Sequence, residues 1–441
     1  MTATPTFLAE TFLADLGVIA GSLVARPRWD VDASGTIVRA GAADAIAEPI
    51  AQRTRDFGRA LVVPGFVDAH SHAFQRGIRG ATQRRPAGRS DFWSWRTAMY
   101  EHATALDPAG VYAITKLAYR EMLRAGITCV GEFHYLHHQP DGRPYADPNE
   151  LSLQVARAAA DVGIRLVLLE VFYERAGAGQ APLPEQRRFC DRDVDAYLAR
   201  VETLRAAGLD VGLAPHSVRA VGLESLRAIA AHAARTGLVV HAHVSEQIRE
   251  NDECRAEHGR TPTQLLADAG LLARPQGFTA VHAIATDDAD RALLRDQTVC
   301  VCPTTEADLG DGLVEATALR DAGVALALGS DSNAVIDLVQ EARALEMGER
   351  LRLRRRICLA DEGASLGASL LSIATHGGAV ALGRRDIGEL DVGHQFDAAV
   401  IDRRHPTLAD VGDDALVDAL LTGGTAGVVV HVVVGGVERT P

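Results

Sequence analysis

The sequence predicts an α/β fold, a (β/α)8 TIM-type barrel carrying a small β-sandwich-like domain built from both chain ends. Three observations lead there. From Gly126 to Ser332, short runs rich in Val, Leu and Ala alternate with longer stretches of helical period, the pattern of parallel strands joined by crossover helices. Residue types able to bind metal recur at the ends of several of these runs, where barrel enzymes place their chemistry. Glycine-punctuated, strand-like pieces are confined to the two ends of the chain.

Eight runs read as strands: Leu61–His72, Thr128–Leu136, Arg165–Tyr173, Asp210–Val218, Leu238–Glu246, Phe278–Ala285, Thr298–Thr305 and Val324–Ser332. Helices are expected between them at about Pro108–Ala125, Asn149–Val162, Val194–Ala207, Leu223–Thr236, Gln264–Ala269, Asp287–Arg295 and Ala316–Ala322, several closed by a glycine. Eight such units specify a closed barrel, assigned to residues 59–378. The flanks, residues 1–58 and 379–441, contain pieces such as Gly35–Arg39, Asp397–Ile401 and Gly427–Val434. Neither flank can bury a sheet alone, so the two are expected to pair into one small β-domain.

Composition narrows the function classes. At 441 residues, 47% hydrophobic and 23% charged, the chain has the balance of a globular enzyme with its own core. A formal charge of −13 argues against a nucleic-acid or anionic-membrane partner, which would need clustered basic residues. The six cysteines form no Cys-x-x-Cys pair. No apolar stretch approaches the roughly 18 residues of a membrane span. The N-terminus, with Glu10 and Asp15, lacks the basic and apolar regions of a signal peptide. A cytoplasmic enzyme is expected.

The strongest chemical signal is Pro64-Gly-Phe-Val-Asp-Ala-His-Ser-His72. Side chains alternate along a strand, so His70 and His72 share a face and can grip one ion. His243, His282 and Asp331 stand at the ends of runs five, six and eight. Imidazole nitrogens with one carboxylate suit Zn2+, and Fe2+ or Mn2+ would accept the same set. Spacing alone does not separate His241 from His243, which share a face; His243 is preferred because it is nearer the barrel's mouth. Glu246, three residues on, is placed to reach a water beside the metal. A second cluster, His134, His137 and His138, has no carboxylate or cysteine spaced beside it and is expected to pack a loop. Cys300 and Cys302 read as a packed core pair, and Trp93 and Trp95 as loop anchors. Glu306 and Asp308 receive no role.

Taken together, Gly65-Phe-Val-Asp-Ala-His-Ser-His72, His243-Val-Ser-Glu246, Val281-His282 and Gly329-Ser-Asp331 resemble the amidohydrolase superfamily in its deaminase and chlorohydrolase branch. Within that branch, His70–Arg76, Phe92–Arg96, Phe133–His138, Pro215–Arg219 and Cys302–Gly312 resemble the formimidoylglutamate deiminase family of bacterial histidine degradation. No lysine on strand four could bridge two metals, since Lys116 is the sole lysine, so one metal ion is expected. The resemblance implies a metal held by His70, His72, His243 and Asp331, with Glu246, His282 and Asp331 in proton transfer and orientation. It further implies substrate contacts from Gln75, Arg96, Tyr135, His216 and Arg219, and a homodimer.

That family's substrate is a small-molecule dicarboxylate with a linear amidine. Arg96 and Arg219 are the residues able to form bidentate, charge-assisted pairs with two carboxylates. The rival expectations are a deaminase or chlorohydrolase of a heterocycle, which would want an aromatic or amide-lined pocket, a ring-opening hydrolase of the same pathway, and a barrel kept as a non-catalytic scaffold.

Overall fold

A computed structural model of the chain describes residues 8–46, 53–83, 92–273 and 277–440. Eight parallel strands lie side by side in chain order: β1 (Phe66–Ser71), β2 (Ile127–His134), β3 (Arg165–Phe172), β4 (Val211–Pro215), β5 (Val240–Val244), β6 (Phe278–His282), β7 (Thr298–Val301) and β8 (Ala325–Leu328). Helices cover the outside, so these strands are buried on both faces and carry apolar runs instead of alternation. Ala69, Val281, Cys300, Cys302 and Ala327 pack together in the interior with Ala381.

The barrel closes between β8 and β1 at a few backbone bonds. His72 donates its N–H to the Asp331 carbonyl at 2.8 Å, and Asp331 donates to the His70 carbonyl at 2.9 Å. Behind them Asp68 accepts from the backbone N–H and the hydroxyl of Ser330. Barrel closure and the conspicuous histidine motif therefore occupy the same place.

The first predicted strand is corrected. Leu61–His72 is not continuous but breaks at Gly65: Ala60–Pro64 belongs to an outer sheet, where Val62 opposes Val400, and only Phe66–Ser71 enters the barrel. Pro64 has no N–H to extend a ladder. A Cβ on Gly65 would sit 2.3 Å from the Thr128 hydroxyl oxygen, so only glycine lets the chain pass this close to β2.

That outer sheet mixes both chain ends. Leu16–Ile19, Ser22–Ala25 and Ala60–Pro64 lie beside Ala398–Asp402, Val429–Val434 and Val437–Arg439. A second sheet, of Leu8–Leu13, Pro27–Asp32, Ile37–Ala42 and Thr54–Asp56, faces it. The two enclose Trp29, Val31, Ile37, Val62, Val400 and Val433, with the rings of Phe12 and Phe396 stacked 4.2 Å apart. Arg165, at the start of β3, reaches Asp397 with two bonds of 2.6 and 3.0 Å and ties the sandwich to the barrel.

Two further expectations change. Phe92–Ala105 is a helix, not a loop, which fits a stretch without Gly or Pro; Trp95 is half-buried on it, and the Trp93 side chain lies outside the described residues. The cluster at His134, His137 and His138 is buried as expected of loop packing, but it does have carboxylates beside it. His137 Nδ1 is 3.7 Å from Glu170 and His138 Nε2 is 3.6 Å from Asp191, two buried carboxylates that come from distant parts of the chain. Arg200, also buried, binds Glu170 at 2.7 Å and Asp191 at 2.8 and 2.9 Å. Burial, with the charge of Asp191 adding to it, pushes Glu170 upward against Arg200; at Asp191, the bonds from His138 and Arg200 outweigh burial and hold the carboxyl below its usual range. Arg200→Met would strand both carboxylates. The expected cost is about 3–5 kcal/mol of stability, read as a lower midpoint in a urea titration.

Candidate active site

The strands deliver their side chains to one mouth. His70 and His72 stand at the end of β1 and His243 on β5; His282 ends β6, and Asp331 follows β8. Ser245, His282, Ala283 and Asp331 have φ between 46° and 73°. Left-handed backbone at non-glycine residues costs about 1–3 kcal/mol each and persists where a site demands it. Here it turns each chain sharply off the strand so that the side chain aims inward.

The donor atoms meet with the spacing of a single ion's ligands. An ion bonded at about 2.1 Å in tetrahedral geometry keeps its donors about 3.4 Å apart. His70 Nε2 and His72 Nε2 are 3.2 Å apart, and Asp331 Oδ1 lies 3.6 and 3.3 Å from them. Donor atoms of His70, His72 and His243 fall within 4.8 Å of one another, as do those of His282, Cys302 and Asp331. His72 Nδ1 donates to the Phe133 carbonyl at 2.8 Å and His243 Nδ1 to the His216 carbonyl at 3.0 Å, which leaves the Nε2 lone pairs facing the centre. Burial lowers the pKa of His70 to about 3 and depresses His72 and His243 as well, so all three are neutral, the form a metal needs. The residues present fit a divalent ion.

His241 points elsewhere. Its Nε2 bonds to the Ala381 carbonyl at 2.8 Å, one layer deeper, and burial lowers its pKa to about 4. His243 faces the other histidines and His241 does not.

Above the cluster opens a cavity whose lining includes His72, Gln75, Arg96, Tyr135, His216, Arg219, His243, Glu246, His282 and Asp331. All ten were expected from the sequence; His70 sits directly beneath. Gln75 donates to the Tyr135 hydroxyl at 2.8 Å. The Arg96 guanidinium lies 5.6 Å over the Tyr100 ring. Arg219 is not simply waiting for an anion, because it binds Glu246 Oε2 at 3.0 Å.

Two residues that sequence reasoning missed support this set. Glu306 is buried and accepts from His282 Nδ1 at 3.1 Å and from the Cys302 N–H at 3.0 Å, fixing the ring so that Nε2 faces Glu246 and Asp331, each 3.7 Å away. Burial resists charge on His282, yet Glu246, Glu306 and Asp331 raise its pKa to about 10. The helix at Pro303–Leu309 carries Glu306 and explains why Asp308, two positions on and so turned to the outer side, is exposed and bonds to Gln83 instead. Glu250 accepts from the Glu246 N–H at 3.2 Å and lies 3.9 Å from Arg219. Its signal was the spacing of four residues from Glu246 into the helix Ile248–His258.

A buried His/Asp cluster at the C-terminal mouth of a parallel barrel defines a metal-dependent hydrolase. The chain matches the Amidohydrolase family over residues 61–438 and belongs to it. A formimidoylglutamate deiminase of Pseudomonas aeruginosa is 43% identical over 383 residues, 85% of this chain and 83% of the relative. A 5-methylthioadenosine/S-adenosylhomocysteine deaminase of Halobacterium salinarum is 29% identical across 91% of this chain and 87% of its own. Among solved structures, an amidohydrolase from Brucella melitensis superposes with a TM-score of 0.87 at 34% identity, covering 97% of this chain and 94% of that one. A zinc-bound adenosine deaminase from Xanthomonas campestris superposes at 0.82 and 25% identity, covering 99% and 93%.

Proposed function

We propose that this enzyme hydrolyses N-formimidoyl-L-glutamate to N-formyl-L-glutamate and ammonia, a step of histidine degradation, with one Zn2+ held by His70, His72, His243 and Asp331. The observation that carries this reading is a single cavity combining that donor set with two arginines, Arg96 and Arg219, on its walls. The likeness to a relative of that name supports it.

When bound, such an ion acidifies water toward neutral pH and polarises the bond under attack. The rest is the work of side chains. Asp331 Oδ2 takes the proton of the attacking water. His282 Nε2–H, aimed by Glu306, stabilises the tetrahedral centre that forms at the formimidoyl carbon. Glu246 takes the second proton of that water from the tetrahedral centre and passes it to the departing nitrogen, so that the carbonyl forms, the C–N bond breaks and ammonia leaves. Glu246 and Asp331 also favour approach of the cationic amidine, while Gln75, Tyr135 and His216 orient it. We place the enzyme in the cytoplasm, consistent with six free cysteines, and expect a homodimer.

Ammonia release from N-formimidoyl-L-glutamate, measured before and after chelation, tests substrate and metal together. Turnover is expected, with loss on chelation and recovery on adding Zn2+. Faster release from guanine or cytosine than from the amidine would overturn the reading.

A further inference from the structure

His70 and His72 stand at the end of β1 and Asp331 follows β8, so the proposed ligand set straddles the seam where the barrel closes. Backbone pairing is irregular on the other flank of the same stretch. Asp68 of β1 pairs with Val130 of β2 and Ser71 with Glu132, three steps along one strand against two along the next. The extra residue makes a bulge, which interrupts the ladder and re-aims side chains where His70 sits. The end of β1 is thereby left without regular backbone partners from β2, and side chains supply the bonds instead.

Three buried residues do this, Glu132, Ser71 and Asn333, and the mechanism above uses none of them. Glu132 accepts from the Ala73 N–H at 2.7 Å through Oε1 and from the Ser71 hydroxyl at 2.9 Å through Oε2, so it grips the chain on either side of His72. Tyr119 donates to the same Oε2 at 3.2 Å and holds the carboxylate in place. From across the seam, Asn333 Nδ2 donates to the Ser71 hydroxyl oxygen at 3.0 Å and to the Asp331 carbonyl at 3.1 Å. A carbonyl can only accept, which fixes the orientation of the Asn333 amide; Ser71 gives its one proton to Glu132 and accepts from Asn333. Asn333 has a φ of 55°, a left-handed backbone that Asn tolerates better than most residues. β2, β1 and the turn after β8 are thus joined through one hydroxyl, that of the residue between His70 and His72.

We propose that Glu132, Ser71 and Asn333 are positioning residues that hold His70, His72 and Asp331 at the spacing one divalent ion requires, and so set the affinity of the site for its metal. They act through the backbone of the ligands and touch neither metal nor substrate. This rests on the ligand set proposed above. A buckle that served only to close the barrel would stabilise the apo and the metal-loaded protein equally, whereas a positioning role favours the loaded one.

The test measures zinc affinity, by competition with a chromophoric chelator, and the thermal midpoints of apo and zinc-loaded protein, for the parent enzyme and for Ser71→Ala, Asn333→Ala and Glu132→Gln. Outer partners of metal ligands are usually worth about tenfold to a hundredfold in affinity. Ser71→Ala and Asn333→Ala are each expected to weaken zinc binding by that factor and to narrow the gap between apo and loaded midpoints. Glu132→Gln should have the smallest effect, because the amide keeps an oxygen for the Ala73 N–H and its NH2 can donate to Ser71 Oγ. Both alanine changes break one node, so the double variant should bind zinc about as weakly as the weaker single variant. Visible absorption of the Co2+-loaded protein, whose bands report donor geometry, needs no melting and should shift in the alanine variants. If Asn333→Ala does not fold, Ser71→Ala, which removes a single oxygen atom, still decides. Unchanged zinc affinity, with apo and loaded midpoints lowered equally, would overturn the proposal alone. A parent enzyme that binds no zinc would overturn the ligand set itself, and the proposal with it.

Discussion

Glu246→Gln should lower kcat by about 10²–10⁴-fold, the usual worth of a positioned proton-transfer group, while leaving metal content and thermal midpoint near those of the parent enzyme. Gln keeps an oxygen to accept from Arg219, now 3.0 Å from Glu246, so the wall of the cavity should hold its shape. What it cannot do is carry a proton to the departing nitrogen. KM should move little. Ammonia release at a near-normal rate from this variant would remove Glu246 from the mechanism, and a fall in bound metal would reassign it to the ligand set.

The second large effect separates the two histidines of β5. His243→Ala is expected to reduce bound metal from about one ion per chain to a small fraction, measured by plasma emission spectroscopy on dialysed protein, and to abolish turnover with it. The remaining donors, His70, His72 and Asp331, would keep their 3.2 to 3.6 Å spacing but lose the fourth corner of the tetrahedron. His241→Ala should do the opposite. It deletes a buried bond to the Ala381 carbonyl, so a stability cost of about 1–3 kcal/mol is expected with metal content retained. Metal lost from His241→Ala and kept by His243→Ala would reverse the assignment.

Arg219 pairs with Glu246 on the cavity wall. In the structure its guanidinium sits between Glu246 and Glu250, and burial raises the pKa of Glu250 to about 7, with Arg219 pulling the other way. A carboxylate arriving at Arg219 would compete with Glu246 and free that side chain to face the amidine. Binding and proton transfer would then be linked through one ion pair.

What the sequence determined by itself were the features carried by local pattern. Alternation with period two puts His70 and His72 on one face, apolar runs without alternation mark strands buried on both sides, and the placement of His243, His282 and Asp331 at strand ends brings them to a common mouth. What only the tertiary structure decided were contacts between residues far apart in the chain. Asp331 meets His70 because the barrel closes between β8 and β1. Glu306 aims His282 from a neighbouring strand's helix, Arg219 crosses to Glu246, and Asn333 reaches Ser71 across the seam. The different surroundings of His243 and His241 belong there too, since both share one face of one strand and only depth in the barrel tells them apart. Periodicity reports which way a side chain points, whereas its partner is set by closure of the whole sheet.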